Sequence, residues 1–500
     1  MPTEIVLGCP GSGKTTTLLN EVDKELNHDT APDRIAYVTF TRRAAEEAVT
    51  RAQKKFKLSA NQMPFFRTLH SLAYRALGLQ SSDVVTPAKL RQFADWIGIE
   101  VTGRWAEDGS FVGYGEGDRI LHMENLARIR MVPLRQLYDV NDDDLPWDKV
   151  DYVARGYVAF KKQHNLLDYT DMLSQFLASG INLRLEVVIN DEVQDQSKLQ
   201  WAVVNKLAKK ARRMVVAGDD DQALYKWAGA DVDSFIDLPG EQRILGLSHR
   251  VPRLVQSLAQ ELIQPVTHRR VKTWKPRPAD GAVTQVSDFE DADTSGESVL
   301  ILARNIYILR EIVEPALKQR GIIYEYNGHS SVSQSILTAI QDWEALRGGK
   351  EVTINQARKI YEWMSSGAGV MRGYKKIPGA ADDALVNMTT LIEHYGLRTS
   401  YVWYEALDRI PAEEVSYIRV ARKQGAKLLG PPNVRISTIH GSKGGEADHV
   451  ILLKEMARRS YRELEDDEDS ERRVWYVGAT RARQKLTICE ARTQQACPWL

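Results

Sequence analysis

An eight-residue loop near the start of the chain, Gly8-Cys9-Pro10-Gly11-Ser12-Gly13-Lys14-Thr15, constrains the fold more than any other feature. It matches the pattern G-x-x-x-x-G-K-[ST] in full, after an apolar run at residues 4–7 and before a predicted helix that starts at Thr16. Glycines let backbone N–H groups turn inward around a polyphosphate, and a helix N-terminus adds partial positive charge. The predicted nucleotide-binding residues are Gly8, Gly11, Ser12, Gly13, Lys14, Thr15 and Thr16, with Lys14 at the β and γ phosphates and Thr15 at Mg²⁺.

Short apolar runs that end in polar residues recur along the chain. They cover residues 34–40, 185–190, 213–217, 298–303, 433–437, 449–453 and 485–489. Their alternation with helical segments predicts an α/β fold with parallel sheets, in which ligands bind beyond the carboxyl ends of the strands. We expect two such cores and two mainly helical insertions, at residues 87–165 and 330–430.

Composition excludes a membrane-spanning or disulfide-stabilised protein. The three cysteines, Cys9, Cys489 and Cys497, suggest no pairing framework, and no apolar stretch is long enough to span a bilayer. We therefore expect a soluble, cytoplasmic protein of a bacterial or phage-infected cell. The 67 basic residues balance the 67 acidic ones, which argues mildly against a nucleic-acid binder, although a large enzyme can hold a basic groove within a neutral total.

An acidic pair follows the apolar strand at 185–189. Asp191 is a candidate Mg²⁺ ligand, and Glu192 is a candidate general base that orients and deprotonates the attacking water. An Asp-Glu pair alone is common and usually solvated. Downstream of a phosphate-binding loop, it predicts the second half of a nucleotide hydrolysis site.

Taken together, the phosphate loop and eight further motifs resemble those of superfamily 1 helicases of the UvrD/Rep/PcrA-like group. Beyond the phosphate loop they are residues 37–45 (YVTFTRRAA), 67–72 (RTLHSL), 167–173 (LDYTDML), 191–195 (DEVQD), 218–227 (GDDDQALYKW), 247–250 (LSHR), 438–446 (TIHGSKGGE) and 475–483 (WYVGATRAR). The resemblance covers nearly the whole chain and implies two RecA-like P-loop cores with ATP between them. It implies a first core at 1–86 and 166–246 and a second core at 247–329 and 431–500.

The resemblance also implies catalytic roles. Arg250 and Arg481 would enter from the second core as arginine fingers that stabilise charge on the transferring phosphate. Gln222 would sense the γ-phosphate and relay its loss to His440, and Glu446 would hydrogen-bond the ribose. Outside the motifs, such arginines are more often surface ion-pair partners and a lone histidine is more often a core residue.

Translocation along a strand needs planar groups on which bases stack. The residues that the resemblance places at single-stranded DNA are Phe40, Thr41, His70, Tyr225, Trp227 and His440. Core packing is the ordinary alternative for the aromatic residues among them. The basic stretch 268–275 (HRRVKTWK) is equally compatible with phosphate binding and with a solvated face.

Three positions depart from the family pattern. Only seven residues precede Gly8, so the upstream glutamine motif that reads adenine in the family has no room, and the sequence leaves base selectivity open. Ala228 follows Trp227 where the family has arginine. His249 stands where a tyrosine stacks on adenine, and we expect its imidazole to stack less well.

These features predict an ATP-dependent DNA helicase that uses ATP and Mg²⁺, binds single-stranded DNA and its junction with duplex, and moves 3′ to 5′. The polarity comes from the resemblance alone. A translocase that displaces or loads proteins with little unwinding fits the same motifs. A P-loop kinase or regulator would not need the motifs after residue 218, and an inactive scaffold would not need Lys14 and Glu192. The sequence does not choose among DNA repair, replication, recombination and the needs of a viral genome.

Overall fold

The structure is a computed structural model that describes residues 2–105, 111–113, 115–140, 144–426 and 430–500. The chain divides into two compact units. Unit 1 comprises Met1–Asp280 and Asp466–Thr480, and unit 2 comprises Gly281–Glu465 and Arg481–Leu500. The chain thus leaves unit 1 after Asp280, returns to it for fifteen residues near its end, and finishes in unit 2.

Unit 1 is built around a six-stranded parallel sheet. The strands of this unit are β1 (Thr3–Gly8), β2 (Ile35–Thr39), β3 (Phe66–Thr68), β4 (Arg104–Trp105), β5 (Phe111–Val112), β6 (Val187–Asn190), β7 (Arg213–Gly218) and β8 (Glu241–Leu245). The sheet has the order β3-β2-β6-β7-β1-β8, and every pair in it is parallel. β4 and β5 form a separate antiparallel hairpin. The central strands are buried on both faces, as near-continuous apolar runs require.

Some helices of unit 1 pack against this sheet, and others form a separate layer. They are α1 (Lys14–Asn27), α2 (Arg42–Phe56), α3 (Leu69–Ala76), α4 (Pro87–Ile97), α5 (Glu116–Ile129), α6 (Leu134–Asp139), α7 (Trp147–Gln163), α8 (Tyr169–Ala178), α9 (Lys198–Ala208), α10 (Val232–Ile236) and α11 (Arg253–Ile263). α1 begins at Lys14, two residues before the predicted start. Gly13, in the left-handed conformation at φ 79°, ends the loop directly before Lys14.

Helices α4 to α7 share an apolar core of their own, which includes Phe93, Tyr157 and Phe160. An ionic cluster joins this layer to α8. Arg128 on α5 lies 2.8 Å from a carboxylate oxygen of Asp168, and Lys161 on α7 lies 2.6 Å from the same group. Asp168 caps α8, so the predicted motif at 167–173 anchors one helical layer to another.

Unit 2 contains a seven-stranded sheet. Its strands are β9 (Ala282–Val286), β10 (Val299–Ala303), β11 (Tyr324–Tyr326), β12 (His329–Ser330), β15 (Val434–Thr438), β16 (Ala447–Leu453) and β17 (Ala482–Cys489). The order is β12-β11-β15-β10-β16-β17-β9, parallel except for β11 with β12. A separate two-stranded antiparallel sheet in the unit consists of β13 (Val352–Thr353) and β14 (Leu385–Val386). The predicted α/β class with parallel-sheet cores is confirmed.

The remaining helices are α12 (Ile306–Ile308), α13 (Glu314–Gln319), α14 (Gln334–Arg347), α15 (Ile354–Glu362), α16 (Met388–His394), α17 (Trp403–Ala406), α18 (Ala412–Lys423), α19 (Arg458–Asp466) and α20 (Glu468–Ala479). The helix predicted through Leu317 is interrupted by a π-helical turn at Leu309–Val313. Pro315 follows that turn and cannot donate a backbone hydrogen bond, which accounts for the local widening. Helices α14 to α18 enclose one apolar core around Trp343, Ile360 and Tyr361.

α20 belongs to unit 1, where it packs against α11. Arg473 on α20 donates to the backbone carbonyls of Asp220, at 2.9 Å, and of His268, at 2.6 Å. Throughout the part of the chain that the structure describes, every helix is too short or too polar to cross a membrane.

Candidate nucleotide and nucleic-acid site

The carboxyl end of β1 carries the phosphate loop. Gly11 and Gly13 have φ values of 72° and 79°, which L side chains rarely adopt. A Cβ on Gly8 would lie 2.3 Å from Cγ of Lys14, so the lysine can fold over the loop only because residue 8 is glycine. Ser12 Oγ is buried and makes no hydrogen bond within the described residues. An orphaned hydroxyl inside a ring of backbone amides fits a polyphosphate ligand.

Asp191 and Thr15 meet beside this loop. Thr15 Oγ1 donates to Asp191 Oδ2 over 3.3 Å, and Tyr37 Oη donates to the same oxygen over 3.1 Å. Burial, and then the charge of Glu192, raise the pKa of Asp191 to about 6. A buried carboxylate next to a second acid is stabilised by a cation. The hydroxyl and carboxylate oxygens are the donor set that Mg²⁺ prefers, so these residues fit the predicted metal.

Glu192 follows Asp191 in a left-handed conformation, with φ of 54°. Such a conformation is uncommon for a residue other than glycine and often occurs at functional sites. The side chain of Gln194 fixes its carboxylate, with Nε2 2.5 Å from Glu192 Oε2. Sequence reasoning included Gln194 in a motif but gave it no role.

Gln222 lies at the carboxyl end of β7, next along the sheet. Its Nε2 donates to Asp219 Oδ2 over 2.5 Å, and the side chain is buried. Because β6, β7 and β1 are neighbours in a parallel sheet, their carboxyl ends bring Glu192, Gln222 and the phosphate loop to the same edge.

The segment after β8 is tied to the phosphate loop. Ser248 Oγ donates to the carbonyl of Pro10 over 2.6 Å, and the His249 amide donates to the carbonyl of Gly11 over 2.9 Å. A Cβ on Gly11 would stand 2.4 Å from Cβ of Arg250. Residues 247–280 lie in unit 1, so His249 and Arg250 reach the phosphate loop from within its own unit. Ser248, which forms this connection, was missed from the sequence.

The basic stretch 268–275 alternates between exposed and buried residues, with Lys272 buried and Lys275 exposed. Two of its cations pair with aspartates. Arg269 forms two hydrogen bonds with Asp221, at 2.7 and 2.5 Å. Lys272 Nζ lies 3.0, 2.6 and 2.9 Å from carboxylate oxygens of Asp219, Asp220 and Asp221. These cations are counter-charges for the acidic turn that carries Gln222. The three consecutive aspartates at 219–221 and the basic stretch at 268–275 are the sequence signal from which this ion pairing could have been predicted.

The aromatic residues predicted at DNA divide into two groups in unit 1. Phe40, His70 and Tyr225 line one pocket, where the rings of Phe40 and Tyr225 are 5.7 Å apart. Trp227 is 50% exposed, unlike a core residue. Thr41 is exposed and accepts a hydrogen bond from the Ala44 amide, which caps α2.

Three predicted residues lie in unit 2. His440 follows the carboxyl end of β15. Its burial, and then the charges of Arg304 and Lys443, lower the pKa of its imidazole to about 3. Arg304, which follows β10, was not singled out from the sequence. Glu446 lies 3.5 Å from Arg483.

Arg481 is 1% exposed, and its guanidinium donates to the carbonyl of Gly445 over 3.3 Å. The structure therefore assembles the remaining predicted residues in unit 1 and holds His440, Glu446 and Arg481 in unit 2.

Two family models match the chain. One, described as the UvrD/REP helicase N-terminal domain, matches residues 2–108 and 116–241. The other, described as the UvrD-like helicase C-terminal domain, matches residues 179–493.

Individual relatives are similar at low identity. ATP-dependent DNA helicase PcrA of Staphylococcus epidermidis is 24% identical over 374 residues, 66% of this chain and 46% of the relative. PcrA of Staphylococcus aureus is 26% identical over 525 residues, 93% of this chain and 65% of the relative. DNA helicase II of Salmonella typhimurium is 23% identical over 621 aligned residues, 98% of this chain and 82% of the relative. The chain thus spans 46% of the length of the first of these relatives.

Proposed function

The chain belongs to the family of UvrD-like helicases, and from this premise we propose that it is an ATP-dependent DNA helicase. It hydrolyses ATP, moves along single-stranded DNA in the 3′-to-5′ direction and unwinds the duplex at a junction. The observation that carries the proposal is the contact between Thr15 on the phosphate loop and Asp191 at the end of β6, with Glu192 adjoining. The relatives' names supply DNA as the substrate.

The residues of unit 1 divide the chemistry of hydrolysis among them. The backbone amides of the phosphate loop and Lys14 hold the triphosphate. Thr15 and Asp191 would hold Mg²⁺, which would supply positive charge to neutralise the polyphosphate. Glu192 accepts a proton from the attacking water. Its carboxylate is already oriented by Gln194, so less reorganisation is needed when the nucleotide enters.

Arginine supplies the charge that this type of transition state needs. Arg250 is next to the loop, where the Ser248 and His249 contacts fix its backbone. We propose that Arg250 and Arg481 both act on the γ-phosphate as fingers and that Gln222 senses its presence. His249 would stack on the base and Glu446 would bind the ribose.

The DNA-binding surface begins at the pocket of Phe40, His70 and Tyr225. Its rings and the exposed indole of Trp227 offer faces on which bases stack, and stacking tolerates any sequence. Thr41 and His440 would contact the strand's backbone. The neutral imidazole that its low pKa gives His440 donates or accepts a hydrogen bond without a charge.

The proposal is tested with the whole chain by measuring ATP hydrolysis with and without single-stranded DNA, beside unwinding of 3′-tailed and 5′-tailed duplexes. Stimulation by DNA and unwinding of the 3′-tailed duplex alone are expected. Hydrolysis without unwinding, combined with removal of streptavidin from a biotinylated strand, would instead indicate a translocase. Hydrolysis indifferent to DNA would refute the proposal.

Two variants assign the site within the same assay. Lys14→Ala should abolish ATP hydrolysis, because the β and γ phosphates lose their cation. Glu192→Gln should retain nucleotide binding and stop turnover, because the amide cannot accept the proton. Glu186, an exposed acid before β6 that pairs with Arg34, provides the control, and Glu186→Gln should behave as the parent protein.

A further inference from the structure

The side chain of Gln194 lies between the ends of two neighbouring strands. It sits in the 3₁₀ turn Val193–Asp195, which follows β6, and it is completely buried. On one side is the acidic pair that ends β6. On the other is Asp219, which directly follows β7.

Both ends of the Gln194 amide are engaged. Its Oε1 accepts a hydrogen bond from the backbone N–H of Asp219 over 3.1 Å. Its Nε2 donates to Glu192 Oε2 over 2.5 Å and to Asp195 Oδ2 over 3.2 Å. A flipped amide would set its oxygen against two carboxylates and its N–H groups against the Asp219 N–H, so the surroundings permit only this orientation.

The space around the amide is equally restrictive. A Cβ on Gly218 would lie 2.7 Å from Gln194 Oε1, so a side chain at position 218 would displace the amide. Glu192 is held in its left-handed conformation at one end of the connection. At the other end, Asp219 accepts the hydrogen bond from Gln222 through its own side chain.

We propose that Gln194 is a positioning residue that holds the Glu192 carboxylate in register with the turn bearing Gln222. The connection runs from the Glu192 carboxylate through the Gln194 amide to the Asp219 backbone, and from the Asp219 carboxylate to Gln222. A shift of the Gln222 turn is therefore transmitted to the base that activates water. This inference rests on the proposed ATP hydrolysis.

Two substitutions separate the halves of the connection. Gln194→Met has a similar volume and removes both hydrogen-bonding ends. Gln194→Glu keeps an acceptor for the Asp219 N–H but places a third carboxylate against Glu192 and Asp195. A misplacement of a reacting group by about 1 Å can reduce the rate by about 10²-fold. We expect both variants to lose ten- to hundredfold in kcat for DNA-stimulated ATP hydrolysis, with nucleotide affinity within about threefold of the parent.

Gln196 provides a matched control. It is nearly as buried as Gln194, and its amide pairs with that of Asn190, at 3.0 and 2.7 Å, rather than with the Glu192 carboxylate. Gln196→Met should lower the melting temperature at least as much as Gln194→Met, because it also strands a buried amide. It should keep kcat within about threefold of the parent, which a general loss of stability would not allow.

The measurements are kcat and KM for ATP, the affinity for a fluorescent ATP analogue and the melting temperature, all on the full chain. Parent-like kcat in Gln194→Met, or an equal loss of kcat in Gln196→Met, would overturn the proposal. Should Gln194→Met fail to fold, Gln194→Glu carries the same test. A parent protein without DNA-stimulated hydrolysis would refute the proposed function itself, before any variant is compared.

Discussion

The buried ammonium of Lys272 allows a quantitative prediction about the acidic turn. Its Nζ lies within 3.0 Å of carboxylate oxygens on Asp219, Asp220 and Asp221, and the side chain is 1% exposed. Burial opposes its charge, but the three aspartates outweigh that cost and raise the pKa of Lys272. Lys272→Met removes the ammonium shared by the three carboxylates and leaves the pair of Arg269 with Asp221.

Removing one partner of a buried ion pair costs about 3–5 kcal/mol, because the other charge stays desolvated. At about 1.4 kcal/mol per factor of ten, this corresponds to roughly 10²- to 10⁴-fold faster exchange of amide hydrogens wherever exchange requires the turn to open. The amides of β7, which ends beside the turn, should show this loss of protection from hydrogen exchange. β10 belongs to unit 2 and serves as the internal reference.

The double variant Asp220→Asn/Lys272→Met isolates the electrostatic part. Asp220 Oδ2 accepts a hydrogen bond from the Arg270 amide at 2.8 Å, and an asparagine oxygen can still do so. With one carboxylate fewer, the double variant should recover part of the lost protection. Exchange in β7 of Lys272→Met within fivefold of the parent would refute the reasoning, as would a double variant less protected than the single one.

Three further predictions concern separate parts of unit 1. Gly11→Ala should weaken binding of a fluorescent ATP analogue by more than tenfold, because φ is 72° and the new Cβ would stand 2.4 Å from that of Arg250; binding within twofold of the parent would contradict this. Trp227→Ala should weaken single-stranded DNA binding by roughly five- to 150-fold, the equivalent of about 1–3 kcal/mol for one stacked base, and leave ATP binding unchanged in an anisotropy titration. Burial opposes ionisation of Asp118, yet hydrogen bonds from Thr102 and neighbouring amides lower its pKa below the usual value. The ionised Asp118 therefore stabilises the fold fully above about pH 4, and this contribution is lost as the pH falls further. Asp118→Asn should have a lower melting temperature than the parent at pH 7, and its melting temperature should fall less between pH 4 and pH 3.

The phosphate loop and the strands beside it could be predicted because their signals are local. The loop's glycines and Lys14 fix the backbone within eight residues, and the buried strands are apolar on both faces. β8 was not predicted, because it lies at the sheet edge and its residues Glu241 and Gln242 are exposed and polar. Its place next to β1 depends on pairing with a strand more than 230 residues away, which no local pattern encodes.

The motifs name candidate residues whose place at strand ends is local, but they do not show contacts between distant segments. Asp191 and Glu192 follow an apolar strand, so their place at the carboxyl end of that strand could be predicted from the sequence. The roles of Ser248, Gln194 and Lys272 depend on what lies opposite each side chain after folding. The sequence leaves the basic run around Lys272 open between phosphate binding and a solvated face, because no local pattern shows that Lys272 is buried against three aspartates.

The return of α20 to unit 1 has a consequence for how the protein is made. α11 ends at Ile263 and its partner α20 begins at Glu468, so about 200 residues are synthesised between them. At about 5–20 residues per second, roughly 10–40 s pass before the ribosome supplies the second helix. During that interval the nascent chain lacks the helix that packs against the apolar side of α11, and the carbonyl of Asp220 lacks its donor Arg473. The first unit to begin emerging is therefore completed only after α20 has been synthesised, and until then the apolar side of α11 is a binding surface for a chaperone.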